Sequence, residues 1–163
     1  MMRLVNECFF TSEKLANFLF TLSNESYTFG SPWSKEQFKV DISSEQSGYL
    51  ILEEEKVVAY LCYHQFLDEM EIFNFAISPQ AKRKGYGGFL LNCLNQLALT
   101  EQIEQIILEV RLSNKAAQGL YLKNGFEIVS SRKNYYIKPC EDAIVMIKKV
   151  RPEQKNERID IRD

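Results

Sequence analysis

The chain has 163 residues, enough to bury one substantial core and too few to suggest several domains. Its 45% apolar and 26% charged residues exclude a disordered chain, a collagen-like repeat and a disulfide-stapled miniprotein. With 20 basic residues against 22 acidic ones, the formal charge is −2, which argues against a general grip on nucleic acid but allows a local basic patch for one phosphorylated ligand.

Leu15, Phe18, Leu19 and Leu22 fall at helical spacing behind Thr11-Ser12-Glu13, predicting a helix over Thr11–Leu22. Gly30-Ser31-Pro32-Trp33 breaks the chain, and Ser34 caps a second short helix through Phe38 to Ile42. Tyr49–Leu52 and Val57–Phe66 read as strands joined by the acidic turn Glu53–Lys56, and Glu71–Ile77 follows after Leu67-Asp68-Glu69. From Gly85 the period changes. Leu90, Leu91, Leu94, Leu97 and Ala98 make one face of a helix that runs to about Leu99. Ile103–Val110 is a strand whose Ile106-Ile107-Leu108 run implies burial on both faces. Ser113-Asn114 caps a helix to Asn124, stopped by Gly125, and Phe126–Val129, Asn134–Ile137 and Ala143–Ile147 complete the sheet. The expected fold is a single α/β (α+β) domain over residues 1–150: a mixed, mostly antiparallel central sheet flanked by about four helices. Residues 151–163 alternate charges with almost nothing to bury and read as a frayed tail.

No apolar run approaches the ~20 residues needed to cross a bilayer, and the first residues lack a signal-peptide core, so no membrane partner is expected and the expected compartment is the cytoplasm. Cys8, Cys62, Cys93 and Cys140 are scattered, with no Cys-x-x-Cys pair and a single histidine, so they read as reduced thiols and no metal site is expected. Cys93 precedes a core leucine of its helix and is a packing candidate. Cys62 and His64 share a face of one strand, but side chains two apart lie ~7 Å apart, too far for direct proton transfer. A buried thiol and a satisfied histidine are the simpler reading.

The first chemical signal is Ile77-Ser78-Pro79-Gln80-Ala81-Lys82-Arg83-Lys84-Gly85-Tyr86-Gly87-Gly88, where a strand ends, three bases arrive and three glycines in four residues open a long helix. Amide groups at a helix N-terminus lack internal partners and the dipole favours anions there; glycines let a phosphate come close. A Rossmann turn would need a small residue at Leu90, and the Walker Gly-Lys-Ser/Thr is absent. A flexible entry turn with a solvated basic edge is the plain alternative; the strand before and the helix after favour a pyrophosphate cradle. The second signal is Glu109, a carboxylate in an apolar strand, where it must be paired, hydrated or protonated. Hydration at the open strand end, or a pair with Arg111, would explain it structurally. Tyr121 shares a helical face with Ala117 and Asn124; as a lone tyrosine it would be a core aromatic with its hydroxyl at the rim.

Taken together, Lys82–Gly88, Leu108-Glu109-Val110-Arg111-Leu112-Ser113-Asn114, Ala117 through Leu120-Tyr121, Asn124-Gly125-Phe126, Arg132-Lys133-Asn134-Tyr135-Tyr136 and Glu141–Met146 resemble the GCN5-related N-acetyltransferase (GNAT) superfamily. Within it the chain is similar to the bacterial ribosomal-protein-alanine N-acetyltransferases of the RimI type, from about Ser31 to Lys148. The resemblance implies acetyl-CoA as co-substrate, no metal, and a protein N-terminus, that of a ribosomal protein, as acceptor. It implies that Phe75, Ala76 and Ile77 pair with the pantetheine arm, that Arg83, Lys84, Gly85, Tyr86, Gly87 and Gly88 wrap the pyrophosphate, and that Asn114 touches the coenzyme. It makes Glu109 the proton acceptor and Tyr121 the proton donor, with Trp33 and Tyr136 flanking the acceptor. Lys82 departs from the family's Gln or Arg at the loop's first position, which leaves its own contact open. A small amine or a lysine side chain as acceptor, and a non-catalytic acyl-CoA-binding module, are the alternatives.

Overall fold

The computed structural model describes residues 1–150; the charged segment 151–163, expected to be a frayed tail, lies outside the described residues. Seven strands form one sheet in the order β1-β2-β3-β4-β5-β7-β6. They are β1 (Arg3–Val5), β2 (Ser47–Glu53), β3 (Val57–Phe66), β4 (Glu69–Ile77), β5 (Gln105–Arg111), β6 (Glu127–Ile137) and β7 (Cys140–Lys149). Only β4 and β5 pair in parallel. The helices are α1 (Ser12–Ser26), α2 (Lys35–Ile42), α3 (Tyr86–Thr100) and α4 (Lys115–Lys123).

Each face of the sheet carries one helix pair. Leu15, Leu19 and Leu22 of α1 and Phe38 of α2 pack on Tyr49, Ile51, Tyr60 and Ala76. On the other face Leu90, Leu91, Leu94 and Ala98 of α3, with Tyr121 of α4, cover Leu61, Met70, Ile106 and Leu108. The helix starts follow their capping residues. Thr11 accepts from the Lys14 amide, and Ser34 and Gln37 form a reciprocal capping box on α2.

Several boundaries move. The first helix runs four residues past Leu22, and Phe18 lies outside its buried face, edge-on to Phe10. A short β1, held by an Arg3–Glu53 ion pair at 2.5 Å, pairs with β2 and carries no periodic signal of its own. The two strands expected at Phe126–Val129 and Asn134–Ile137 are one long β6 with irregular register before Tyr136. Strand β5 is not buried on both faces: Ile106, Leu108 and Val110 are buried, while Ile107, Glu109 and Arg111 are half-buried. The reason is that α1 and α2 cover β2–β4 but not β5. Glu109 therefore emerges on the opposite face from α3 and α4.

Two irregularities open the sheet. In the β3–β4 ladder Cys62 pairs with Asn74 and Tyr63 with Ile72, so Phe73 is an extra, bulged residue. The β4–β5 ladder joins Glu69–Ile72 to Gln105–Leu108 and stops there. Beyond it Phe73–Ile77 and Glu109–Arg111 part company, and α3 and α4 begin just past the separated ends. A gap at the carboxyl ends of two parallel strands is where open α/β sheets bind ligands.

Candidate active site

The basic, glycine-rich loop leads from β4 into α3. Arg83 and Gly85 both have positive φ, 63° and 83°, a backbone path that turns successive amides to one side. Gly85 occupies the N-cap with no side-chain cap, and the first intrahelical bond recorded at this end runs from the Phe89 amide to the Gly85 carbonyl. The amides of Tyr86, Gly87 and Gly88 are thus left for a ligand. The three glycines do different work. A Cβ on Gly85 would meet nothing but would have to adopt the left-handed conformation, whereas one on Gly87 would lie 2.8 Å from Leu120 Cδ2 and 3.2 Å from Ile77 Cδ1. Gly87 is needed for the approach of α3 to α4 and β4, and Gly88 leaves room at the surface. Two side chains in the loop are already engaged: Lys84 lies 3.6 Å from Glu54, whose carboxylate also accepts from the Tyr86 hydroxyl. Arg83 and Lys82 stay exposed. Asn114 caps α4 by accepting from the Ala117 amide at 3.1 Å, so its oxygen is used and its amide nitrogen remains for a ligand.

On β4, Ala76 is buried against α1 while Phe75 and Ile77 turn toward α3 and α4. The Phe75 amide does not face an empty gap: it donates to the Tyr27 hydroxyl at 3.1 Å. That hydroxyl donates in turn to Asn74 Oδ1 at 3.2 Å, which also accepts from Tyr60 at 2.7 Å. Burial, with the Phe75 hydrogen bond opposing it, pushes the Tyr27 phenol up to about 12. Tyr27, Asn74 and Tyr60 thus brace the splayed half of β4 from the α1 side.

Tyr121 sits in the gap from the other side. Its ring is buried against Phe126 (5.6 Å, edge-on) and Phe75 (6.3 Å), and its hydroxyl makes no hydrogen bond to any described residue. Burial holds its phenol far above the ordinary value, reinforced by the hydroxyls of Tyr27 and Tyr136, which converge on the same cleft. Such a phenol stays protonated at neutral pH.

Glu109 faces away from α3 and α4. Its carboxylate is ion-paired with Arg132 of β6 at 2.6 Å, not with Arg111. Arg111 instead pairs with Glu141 at 3.1 Å and donates to the carbonyls of Lys138 and Pro139. Its guanidinium lies 4.9 Å from the Phe29 ring and 4.1 Å from that of Tyr136, a cation held between two aromatic faces. One arginine thus ties the α1–α2 connection to the β6–β7 end over Glu109. Beside Glu109 stands Glu71, whose carboxyl is raised by burial and then by Glu109 itself. Neither Arg132 nor Glu71 announces itself in the sequence, because both meet Glu109 through sheet register.

Tyr136 is half-buried on this side, its phenol pushed up to about 12 by burial and then by Glu109. Trp33 packs edge-on against Phe38 at 5.2 Å and reaches Phe73, the bulged residue, at 6.5 Å. It staples the helix pair to the sheet.

The spacing of the scattered cysteines and the single histidine does not show which side chain joins two of them in space. Asp41 of α2 inserts between Cys62 and His64: His64 Nε2 lies 2.5 Å from Asp41 Oδ1, and the Cys62 thiol and Tyr49 hydroxyl donate to Oδ2. Burial, then the Asp41 charge, pushes the Cys62 thiol well up, which disqualifies it as a nucleophile. Cys93 is half-buried on α3, its thiol raised by burial alone.

A sheet parted between two parallel strands, with unpaired amides at the start of α3, makes a cleft suited to a ligand with a phosphate-bearing end. The profile of the Acetyltransferase (GNAT) family matches residues 15–126, and the chain belongs to that family: it is an acetyl-CoA-dependent N-acetyltransferase. The [ribosomal protein bS18]-alanine N-acetyltransferase of Haemophilus ducreyi is 36% identical over 121 residues, spanning 71% of this chain and 81% of that one. The crystal structure of the Escherichia coli ribosomal-protein-S18-alanine N-acetyltransferase superposes with a TM-score of 0.83 at 28% identity, covering 96% of this chain and 98% of the other. A GNAT family acetyltransferase from Elizabethkingia anophelis, solved with acetyl-CoA bound, shares the fold at a TM-score of 0.70 and 17% identity, over 91% and 97% of the two chains. No helix among the described residues is long and apolar enough to cross a membrane.

Proposed function

We propose that this enzyme acetylates the α-amino group of a ribosomal protein whose chain begins with alanine, by direct attack of the amine on the thioester. The observation that carries the reading is the position of Glu109 and Tyr121 on opposite faces of the gap where β4 and β5 separate. Identity of 36% to an enzyme named for the bS18 alanine terminus, and the close match of fold to another, support the choice of acceptor.

The residues fit acetyl-CoA. The free amides of Tyr86–Gly88, backed by Arg83, suit a pyrophosphate, and the edge of β4 that has left β5, where Tyr27 takes the Phe75 amide, offers its other backbone groups to an amide-bearing arm. Asn114 contributes its side-chain amide, and Lys84 and Tyr86 contribute backbone, since Glu54 occupies their side chains. An α-amine has a pKa of ~7.7–8.0 against ~10.4 for lysine, so a modest base suffices near neutral pH. Glu109 takes the proton as the nitrogen attacks, directly or through a water, and the adjacent Glu71 makes the face attractive to the incoming ammonium. A β4 amide stabilises the developing oxyanion; Phe75 serves only by releasing Tyr27, so an amide closer to the bulge at Phe73 is the better donor. Tyr121 donates to the departing sulfur, and the burial that raises its phenol also raises the basicity of a thiolate beside it. Phe29, Tyr136 and Trp33 wall the acceptor's first residues, with Arg111 holding the wall closed. Work on a ribosomal protein suits the cytoplasm.

Mass spectrometry on two peptides tests this. One carries a free N-terminal alanine with internal lysines, and the other the same sequence with a blocked terminus. A single acetyl on the free α-amine is expected. Modification of lysines alone, or of neither peptide while small amines are acetylated, would overturn the acceptor assignment and leave the acetyltransferase intact.

A further inference from the structure

Among the described residues, Asp41, Cys62 and His64 form a cluster of ligating side chains outside the catalytic gap, on the α1–α2 face. We propose that it is a binding site for one divalent transition-metal ion of the zinc class, held by Asp41 carboxylate, Cys62 thiolate and His64 Nε2.

The three donor atoms lie within 4.8 Å of one another and come from two elements, α2 and β3. Around a tetrahedral ion with bonds of ~2.0–2.3 Å, neighbouring donors stand ~3.3–3.7 Å apart. The Cys62–Asp41 separation of 3.4 Å already has that value, and the His64–Asp41 contact of 2.5 Å must open by about 1 Å, which a rotation of the Asp41 carboxylate supplies. Cys62 is fully buried, so its sulfur sits in a dry pocket in which a coordinated thiolate is shielded from solvent. The donor set of one soft sulfur, one imidazole and one carboxylate suits zinc or cobalt and is poor for magnesium or calcium.

Among the described residues His64 is the only basic side chain paired with Asp41, and no lysine or arginine reaches it. A dication bound there would take over that charge. On binding, the Cys62 thiol gives its proton to solvent, His64 binds through Nε2 as the neutral ring with its proton on Nδ1, and the Tyr49 hydroxyl continues to donate to Asp41 Oδ2. Asp41 also lines an open hollow with Trp33, Gln37 and Val40, and a fourth ligand would come from solvent on the Asp41 and His64 side, away from the buried sulfur. The ion would clamp α2 to β3, and through the His64 ring, stacked 4.0 Å from Phe73, it would stiffen the bulge beside the gap.

The test is a Co2+ titration of the full chain in a Cys8→Ser/Cys140→Ser background, which removes the two exposed thiols. A thiolate-to-cobalt charge-transfer band saturating at one equivalent is expected, together with a Tm raised by Zn2+. Cys62→Ser should abolish the band, and His64→Gln, at a half-buried position that tolerates change, should weaken Co2+ by at least ~10-fold. Retained acetyl-CoA binding shows that each variant is folded. Absence of the band at saturating Co2+, or a band unchanged in either variant, would overturn the site. Should Cys62→Ser not fold, the His64→Gln titration decides alone. None of these readouts depends on the acceptor assignment.

Discussion

Replacing Tyr121 by phenylalanine separates a catalytic hydroxyl from a packing ring. The ring is buried between Phe75 and Phe126 and stays in place, and the hydroxyl has no partner among the described residues. The fold therefore loses no hydrogen bond, and stability should stay within ~1 kcal/mol of the parent. The reaction loses its donor to the departing sulfur. Positioned proton donors contribute ~10²–10⁴-fold, so single-turnover acetylation of an alanine-terminated peptide should slow at least ~100-fold, or ~2.7 kcal/mol of barrier. Because the parent phenol is held far above its ordinary value, the loss should be constant across neutral pH. Acetyl-CoA affinity by calorimetry should change little. Tyr60→Phe is the contrast: its hydroxyl is fully buried and donates to Asn74 at 2.7 Å, so Tm should fall by the equivalent of ~1–2 kcal/mol while turnover persists. A Tyr121→Phe enzyme with the parent's single-turnover rate would remove Tyr121 from the chemistry.

Glu109→Gln should depress kcat/KM most at low pH, where the amine most needs a base; an unchanged pH profile would leave Glu109 as a partner of Arg132 only. Gly85→Ala puts a side chain at φ 83°, so it should cost ~1–2 kcal/mol in a melting experiment and weaken acetyl-CoA binding by calorimetry, and an unaffected variant would show that the left-handed turn does not matter. Glu13 bridges Lys35 at 2.6 Å and Lys39 at 2.5 Å, and these hydrogen bonds hold its carboxyl at about 2. A lowered folded pKa gives stability that is present above about 4.5 and is lost as pH falls toward about 2, so the Tm gap between parent and Glu13→Gln should close across that window. A gap that stays constant with pH would refute the bridge.

Helices and most strands were legible because their signals are local. Ser34 with Gln37, the Leu90–Ala98 face and Gly125 each act within a turn or two of the chain, and the structure keeps them. The glycine loop was legible as a pattern, and Glu109 and Tyr121 stood out through the resemblance to the GNAT family. What the pattern did not carry was who meets whom. The partner of Glu109 lies on β6, where an irregular register before Tyr136 decides which side chain arrives, and it is Arg132. The same holds for β5, expected to be buried on both faces: whether α1 and α2 reach it depends on where they dock, not on its own apolar run.

The class of fold and the basic glycine loop could be read from the chain alone, because capping, periodicity and residue chemistry are properties of short segments, while the proton roles proposed for Glu109 and Tyr121 came from the resemblance to the GNAT family. Only the tertiary structure decided the bulge at Phe73 that parts β4 from β5, the Tyr27 hydroxyl on the Phe75 amide, the Arg111 clamp between Phe29 and Tyr136, and the arrival of Asp41 between Cys62 and His64. Each of these is a meeting of residues far apart in the chain, set by register and by helix docking, and neither quantity is written in any local stretch of residues.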